Sequence, residues 1–449
     1  MTTHREPPAT QSNQRSDYAA AGQVECLFPG LGLPQVLRAP EPDREARAFL
    51  RMVNVSPRSS AKLISLENLR QSARLSALAL GRRPAVAHTH ELEIEGPNGP
   101  ITLRLYYPKK SDAAQPALVW YFGGGFVVGD LDTADAICRN LALSADCITI
   151  AVRYRLAPEH DIAASREDAM AALSWVAANG AALGIDTTRL AVGGDSAGGN
   201  LAAAVAQQVQ HVDGPPLLAQ VLVYPATELV GRFPSYEQNI HGNYLLTEEV
   251  IQTLEGYLGT SMQTLDLTDP WFSPRRSADL RGLPPAIIVS AGFDPLRDDG
   301  LDYGMRLRAA GVAVQSLHYG GQFHGFLNFD AVLAASRDAL QRIGEALALA
   351  FADQAPLDRT LEVVDQSLDC QVPLGHTAGE VASYTLAAWV ASEGWSHTLL
   401  HLLSPRLARV CANVFKPVLK PLGLLRRAIA GRLSRINAEQ TYPASATDA

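Results

Sequence analysis

The sequence predicts an α/β domain: a mostly parallel central sheet with helices on both faces. Three observations predict it. Six short, mostly apolar runs occur at 117–122, 148–152, 190–192, 220–224, 287–290 and 314–319. Helical stretches separate them, at 133–145, 163–178, 198–210, 300–310 and 331–351. Strands that are apolar throughout need cover on both faces, and right-handed crossover helices provide it. The third observation is composition. With 47% apolar and 19% charged residues, this chain of 449 can bury a sizeable core.

The elements follow in order. Residues 1–43 carry six prolines and little apolar periodicity, which reads as a mobile proline-rich arm. From Arg44 the pattern turns helical: Phe49, Leu50 and Val53, then Leu63, Leu66 and Leu69, fall at helical spacings. Ser56-Pro57 separates two helices there. Glu91 to Glu95 alternates charge with apolar residues, turns at 96–100, and resumes at Ile101 to Tyr106, a hairpin with one wet face. Between 227 and 285 the strand–helix rhythm breaks into loops and one or two amphipathic helices. An insertion there can roof a site at the carboxyl ends of the strands. The domain is read as 44–350, followed by an extension over 351–449.

Several classes are excluded. A net charge of −8 argues against a dedicated nucleic-acid binder. The five cysteines (26, 138, 147, 370, 411) form neither a disulfide framework nor a CxxC knuckle, and read as free buried thiols in a reducing compartment. The N-terminal sequence has no apolar signal region, which points to the cytoplasm. Residues 381–405 carry the single charge Glu393, but two histidines and a proline interrupt them, so they do not read as a membrane span.

The chemistry centres on Gly194-Asp195-Ser196-Ala197-Gly198, a G-x-S-x-G between an apolar strand (189–193) and a helix opening at Gly199. In that context the glycines relieve a sharp turn that projects the serine hydroxyl from the top of the sheet. The Ala197 amide, at the helix N-terminus, can donate to an oxyanion. A serine nucleophile needs a base, and the base an orienting acid. In folds built on this turn, the acid and then the histidine follow the serine in sequence. His211 ends the helix after the nucleophile, His241 lies in the insertion and His318 within the last strand. His324 sits in Gly320-Gly321-Gln322-Phe323-His324-Gly325-Phe326, read as a flexible loop just beyond that strand, and is the candidate base. Asp294 comes first off the strand that ends at Ala291 and is the candidate acid. Asp298 and Asp299 lie where a carboxylate often only caps the next helix. The run Gly123-Gly124-Gly125 would supply further oxyanion amides.

With these pieces in order, the chain resembles the hormone-sensitive lipase family of α/β-hydrolases, in its bacterial esterase branch. The matching strings are Phe122 to Phe126, Tyr154 to His160, Gly194 to Gly199, Asp294 to Gly300 and His324 to Phe326. The resemblance implies Ser196 as nucleophile, His324 as base and Asp294 as orienting acid. It implies Gly124, Gly125 and Ala197 as oxyanion donors, and a cap built from 44–85 and 227–275 over an acyl pocket. One departure matters. The family opens its glycine motif with a histidine that braces the loop, and this chain has Phe122, which implies a less firmly held loop. Glu159, Arg155 and Asp195 read as loop braces.

The expected reaction is hydrolysis of short- to medium-chain carboxylic esters through an acyl-enzyme, with no metal or cofactor. The rivals are a ligand-binding pseudoenzyme on the same fold, and an acyltransferase or amidase with the same triad. A separate expectation concerns 394–435, which holds eight Lys/Arg, no Asp/Glu, and apolar residues every three or four positions. That pattern suits peripheral contact with anionic lipid on the inner membrane face. The alternative is an appendage packed on its own domain or on the second subunit of a homodimer.

Overall fold

The computed structural model describes residues 32–55, 65–259 and 264–364. Its strands are β1 (His88–Gly96), β2 (Gly99–Tyr107), β3 (Gln115–Tyr121), β4 (Ile148–Arg153), β5 (Ile185–Asp195), β6 (Leu217–Val223), β7 (Ala286–Phe293), β8 (Val314–Phe323) and β9 (Arg359–Val363). They form one sheet in the order β1-β2-β4-β3-β5-β6-β7-β8-β9. β2 runs antiparallel to β1 and β4, and every other neighbouring pair is parallel.

The helices are α1 (Arg44–Val55), α2 (Leu66–Leu80), α3 (Leu131–Ala145), α4 (Ile162–Asn179), α5 (Ala197–His211), α6 (Pro234–Asn239), α7 (Glu248–Leu258), α8 (Arg297–Ala309) and α9 (Ala334–Phe351). α3 and α9 pack together on one face of the sheet. α4, α5 and α8 cover the other, joined by Arg166 Nη2 to Asn200 Oδ1 (2.6 Å) and Gln207 Nε2 to the Tyr303 hydroxyl (2.9 Å). This two-sided cover is why β3, β7 and β8 are buried at every residue; β3 and β7 are mostly apolar, whereas β8 also buries Gln315, Ser316, His318 and Gln322. β1 and the start of β2 keep a wet face, with Glu91 paired across the hairpin to Arg104, and so does β9 at the other edge.

From β3 the chain passes through α3 to β4 on one side, then returns through α4 to β5 on the other. The sheet order reverses at β3. The segments leaving the carboxyl ends of β3 and β5 therefore diverge over a crevice, the usual ligand position in such sheets.

The sheet also departs from expectation. β5 begins at Ile185, five residues before its apolar run: Ile185 pairs with Gln115, and the polar Asp186 to Arg189 form an irregularity before pairing resumes at Leu190. β9 adds an edge strand, so β8 is not the last, and the hydrolase domain extends past residue 350 to Val363. β8 runs through Gly320-Gly321-Gln322 to Phe323, where a flexible loop was expected. Gly321 has a packing reason. A Cβ there would stand 1.7 Å from Asp43 Oδ1, so this glycine makes room for a segment lying against β8 rather than loosening the chain.

That segment is 32–43, the described part of the arm, and its bonds fix it. Ala39 and Asp43 donate backbone N–H to Gly320 and Gly321 carbonyls (both 2.9 Å). The Glu362 carboxylate accepts the Gln35 and Val36 amides at 2.5 and 3.2 Å. His318 Nε2 bonds the Leu37 carbonyl at 2.9 Å, and its Nδ1 meets Ser290 Oγ at 2.8 Å. A carbonyl only accepts, so Nε2 carries the proton. Burial holds this ring neutral, with its pKa pushed down to about 4. Residues 1–31, Ser56-Pro57 and everything after 364 lie outside the described residues, including 381–405 and 394–435. Among the described residues, no helix is long and apolar enough to cross a membrane. Cys138 and Cys147 are free and buried.

Arg308 joins the two ends of this edge. It bonds Asp358 (2.8 Å), the Gly32 carbonyl (3.1 Å) and the Val314 carbonyl (2.6 Å). Replacing it by alanine is expected to cost about 2 kcal/mol, as for hydrogen bonds to charged groups. The urea midpoint should fall and limited proteolysis should begin within 32–43. Unchanged cleavage there would show that the segment holds without Arg308.

Candidate active site

Ser196 stands between β5 and α5 with φ 56° and ψ −117°, a left-handed backbone that serine adopts only when its surroundings impose it. They do so on both sides. Its N–H donates to Val223 O (2.9 Å), and its carbonyl accepts from Asn200 (3.1 Å) and Ala226 (3.3 Å). Gly198 lies so close to β3 that a Cβ there would sit 1.9 Å from Tyr121 O. The turn therefore holds the serine side chain out of the sheet.

His324 follows β8 directly and Asp294 follows β7. The structure brings all three together. His324 Nε2 lies 2.9 Å from Ser196 Oγ, and His324 Nδ1 lies 2.8 Å from Asp294 Oδ2. Asp294 is wholly buried, and its other oxygen accepts the Leu296 N–H at 2.7 Å. A carboxylate only accepts, so Nδ1 carries the proton and Nε2 is left to accept the serine hydroxyl. His211 and His241 are exposed and His318 is occupied under the N-terminal segment, so the described histidines after Ser196 other than His324 lie elsewhere.

The glycine loop after β3 runs beside this row. Gly124 (φ 129°) and Gly125 (φ 62°) both take left-handed conformations. Phe122, where the resemblance implies a histidine, stacks on Tyr154 with ring centroids 4.3 Å apart, and the Tyr154 hydroxyl donates to the Phe122 carbonyl at 2.5 Å. Asp195 Oδ1 accepts the Gly123 N–H at 3.0 Å. Burial raises the Asp195 pKa to about 6, and the Gly123 bond works against that rise. The loop is thus braced by stacking, by Tyr154 and by Asp195, so it is held more firmly than Phe122 implied. Arg155 grips Asp168 with two bonds of 2.8 Å, and Glu159 holds Arg70 at 2.7 and 2.8 Å. Both sit as braces.

Asp298 and Asp299 do not cap α8, as their position suggested. Both are buried and reach into the insertion. Asp298 accepts the Ser235 N–H at 2.8 Å, capping α6 from outside, and bonds Arg297 Nε at 2.7 Å. Asp299 accepts from Thr227 Oγ1 and from the Glu228 N–H (3.1 Å). Asn239 donates to the Asp294 carbonyl at 3.0 Å. Sequence reasoning also passed over Tyr224, whose ring lies 4.7 Å from that of His324. Its place at a strand's carboxyl end was the available signal.

A cavity of about 510 Å3 opens at Ser196. Gly125 and Ala197 line its inner end, and Leu229, Phe233, Ile251, Leu254 and Leu267 of the insertion form much of its wall. The 227–275 part of the expected cap therefore roofs the site. Among the described residues, the 44–85 part does not line the cavity. Phe49 of α1 packs on Phe323 and Phe329, and α2 lies against α3.

The alpha/beta hydrolase fold family matches residues 118–328 of the chain. Esterase LipI of Mycobacterium tuberculosis is 43% identical over 256 residues, 56% of this chain and 79% of that protein. The ethyl acetate hydrolase of Pseudomonas putida is 36% identical over 67% of this chain and 96% of its own length. Among solved structures, an ester-hydrolase from the metagenome of Lake Arreo superposes with a TM-score of 0.66 at 33% identity, covering 69% of this chain and 99% of that one. A hyperthermophilic esterase from Pyrobaculum calidifontis gives 0.63 at 34%, covering 69% and 98%. The chain belongs to the hormone-sensitive lipase family, among its bacterial esterases. As a member, it is an α/β-hydrolase that cleaves carboxylic esters.

Asp299 gives this family member a measurable pH signature. Burial raises its pKa to about 8, nearby Glu228 adds to the rise, and Thr227, the Glu228 amide and Arg275 oppose it. In the unfolded chain an aspartate loses its proton near 3.8. Between those values the folded state binds more protons, so stability falls as pH rises, by up to ~1.4 kcal/mol per pH unit. Asp299→Asn should flatten that slope, so urea midpoints at pH 5 and pH 8 should differ less than in the wild type. Equal slopes would mean that this carboxyl titrates as an ordinary one.

Proposed function

We propose that the chain hydrolyses short- to medium-chain acyl esters through a Ser196-His324-Asp294 triad and an acyl-enzyme. The observation that carries this reading is the row of hydrogen bonds at 2.9 and 2.8 Å that ends on a wholly buried carboxylate. Ser196 Oγ attacks the acyl carbon as His324 Nε2 takes its proton. Asp294 holds the imidazole tautomer and stabilises the imidazolium. The amides of Gly124, Gly125 and Ala197 receive the oxyanion, and each such donor is worth ~3–4 kcal/mol in the transition state. His324 then protonates the leaving alcohol, and water repeats the sequence on the acyl-enzyme.

The cavity supports an assignment of sides. The leaving alcohol must lie within reach of His324 Nε2. The residues lining the cavity include Ser196, Gly125 and Ala197 but neither His324 nor Asp294. It therefore extends from the oxyanion side, where the acyl group belongs. Its ionisable lining residues are already engaged: Glu228 with Arg276 (2.9 Å) and Asp299 with Thr227, while Arg232 faces Glu255 at 4.0 Å. What the cavity offers an acyl group is apolar wall.

A p-nitrophenyl ester series from acetate to palmitate tests this reading. Each methylene buried gains ~0.8 kcal/mol, so kcat/KM should rise up to about fourfold per carbon through the short chains. It should then fall well before palmitate. Ser196→Ala should lower kcat by ~10^4-fold or more and abolish labelling by a fluorophosphonate. Undiminished hydrolysis in that variant would overturn the assignment.

A further inference from the structure

We propose that Leu254 is a specificity-determining residue, excluding acyl groups branched at the carbon next to the carbonyl. The inference rests on the acyl-pocket reading above. Leu254 lies mid-way along α7, and its side chain is pressed against the oxyanion loop. A Cβ on Gly125 would stand 2.7 Å from Leu254 Cδ1, with Leu254 Cγ and Cδ2 at 3.3 and 3.4 Å. Ile251 and Leu258 line the same cavity one helical turn to either side. The three atoms nearest that Cβ position all belong to Leu254, which therefore stands against the glycine whose amide receives the oxyanion. The substrate's carbonyl oxygen is therefore held next to Leu254, and the first acyl carbon lies against the same wall.

Two features give that wall its selectivity. Gly125, at φ 62°, cannot yield by gaining or reorienting a side chain, so the space at the first acyl carbon is set from the α7 side. The roof over Ser196 is also anchored at its start: Thr227 and Glu228 are tied to Asp299, and Ser235 to Asp298. A linear chain can bend away from Leu254 along the apolar cavity. A second substituent on the first carbon has no such freedom. One methyl group misplaced in an apolar pocket typically changes kcat/KM by roughly 10–200-fold. The substrate class is therefore esters of acids unbranched at that carbon.

The test compares p-nitrophenyl butyrate with p-nitrophenyl isobutyrate, each rate divided by that of alkaline hydrolysis to remove intrinsic reactivity. The wild type should prefer butyrate by at least about tenfold. Leu254→Ala should bring the ratio close to one. Leu254→Phe should raise it further, and the volume-conserving Leu254→Met should leave it near the wild-type value. A parallel pair, n-propyl and isopropyl butyrate, places the branch on the alcohol, and its ratio should stay within about twofold in all variants. Leu254→Phe and Leu254→Met carry the test if the alanine variant does not fold. An acyl ratio that ignores Leu254 would overturn the proposal, as would a shift in the alcohol ratio instead. If butyrate hydrolysis by the wild type does not depend on Ser196, the underlying triad reading fails, and that result is distinct from either.

Discussion

The architecture of the site hangs on one buried turn, Asp294 to Asp299. Its first carboxylate holds the His324 ring, and the Asp294 carbonyl accepts from Asn239 of the insertion. Asp298 caps α6, Asp299 ties down Thr227 and Glu228, and Arg297 bridges Asp298 to Gln238 at 2.7 and 2.9 Å. Asp294, Arg297, Asp298 and Asp299 are essentially without solvent contact; burial keeps Asp299 largely protonated near neutral pH, while Arg297 and Asp298 form a buried ion pair. Breaking such a buried pair by removing one partner typically costs 3–5 kcal/mol, because the remaining charge is stranded. The turn thus makes the roof and the hydrogen-bonded row parts of one rigid unit: displacing the start of the insertion would disturb the residue that orients His324.

A second constraint operates at the glycine loop after β3. Its backbone is shaped by glycines and cannot hold itself by side-chain packing within the loop. The neighbours do that work. Tyr154 reaches the Phe122 carbonyl from the end of β4, and Asp195 reaches the Gly123 amide from the nucleophile turn. The loop is therefore braced from two strands, with no histidine inside it. This explains how phenylalanine can occupy position 122. The aromatic ring loses a polar contact but gains a stacked partner, Tyr154, in a wholly buried place.

Much of this was legible in the sequence, for definite reasons. Parallel strands buried on both faces are mostly apolar, β8 with its buried glutamines and histidine being the exception, so most positions and the α/β class could be read directly. Ser196, Asp294 and His324 each follow a strand end in a fixed order, so their meeting could be expected from topology. Other parts were hidden. β9 is a short, polar edge strand, Arg359–Val363, that pairs on one side only and so carries no apolar run. Gly320-Gly321 looked like loop residues because a glycine required by a packed neighbour, as Gly321 is by the Asp43 side chain, has the same letter as one required by a turn. Asp298 and Asp299 looked like caps because their partners, Ser235 and Thr227, lie more than 60 residues away. Leu254 could not be separated from the other apolar residues of its helix without knowing which one faces Gly125.

The insertion is divided in a way that bears on how such a site changes. From Thr227 to Asn239 it is bound by buried carboxylates and amides that also position the hydrogen-bonded row. From Glu248 to Leu258 it covers the cavity with Ile251, Leu254 and Leu258, and none of its residues is fully buried. Directional, charge-assisted bonds fix one geometry, whereas apolar packing tolerates changes of shape at modest cost. Substitutions on α7 can therefore reshape the cavity while the turn at Asp294 keeps its partners. The chemistry is secured by groups that cannot easily vary, and the fit to the acyl group by groups that can.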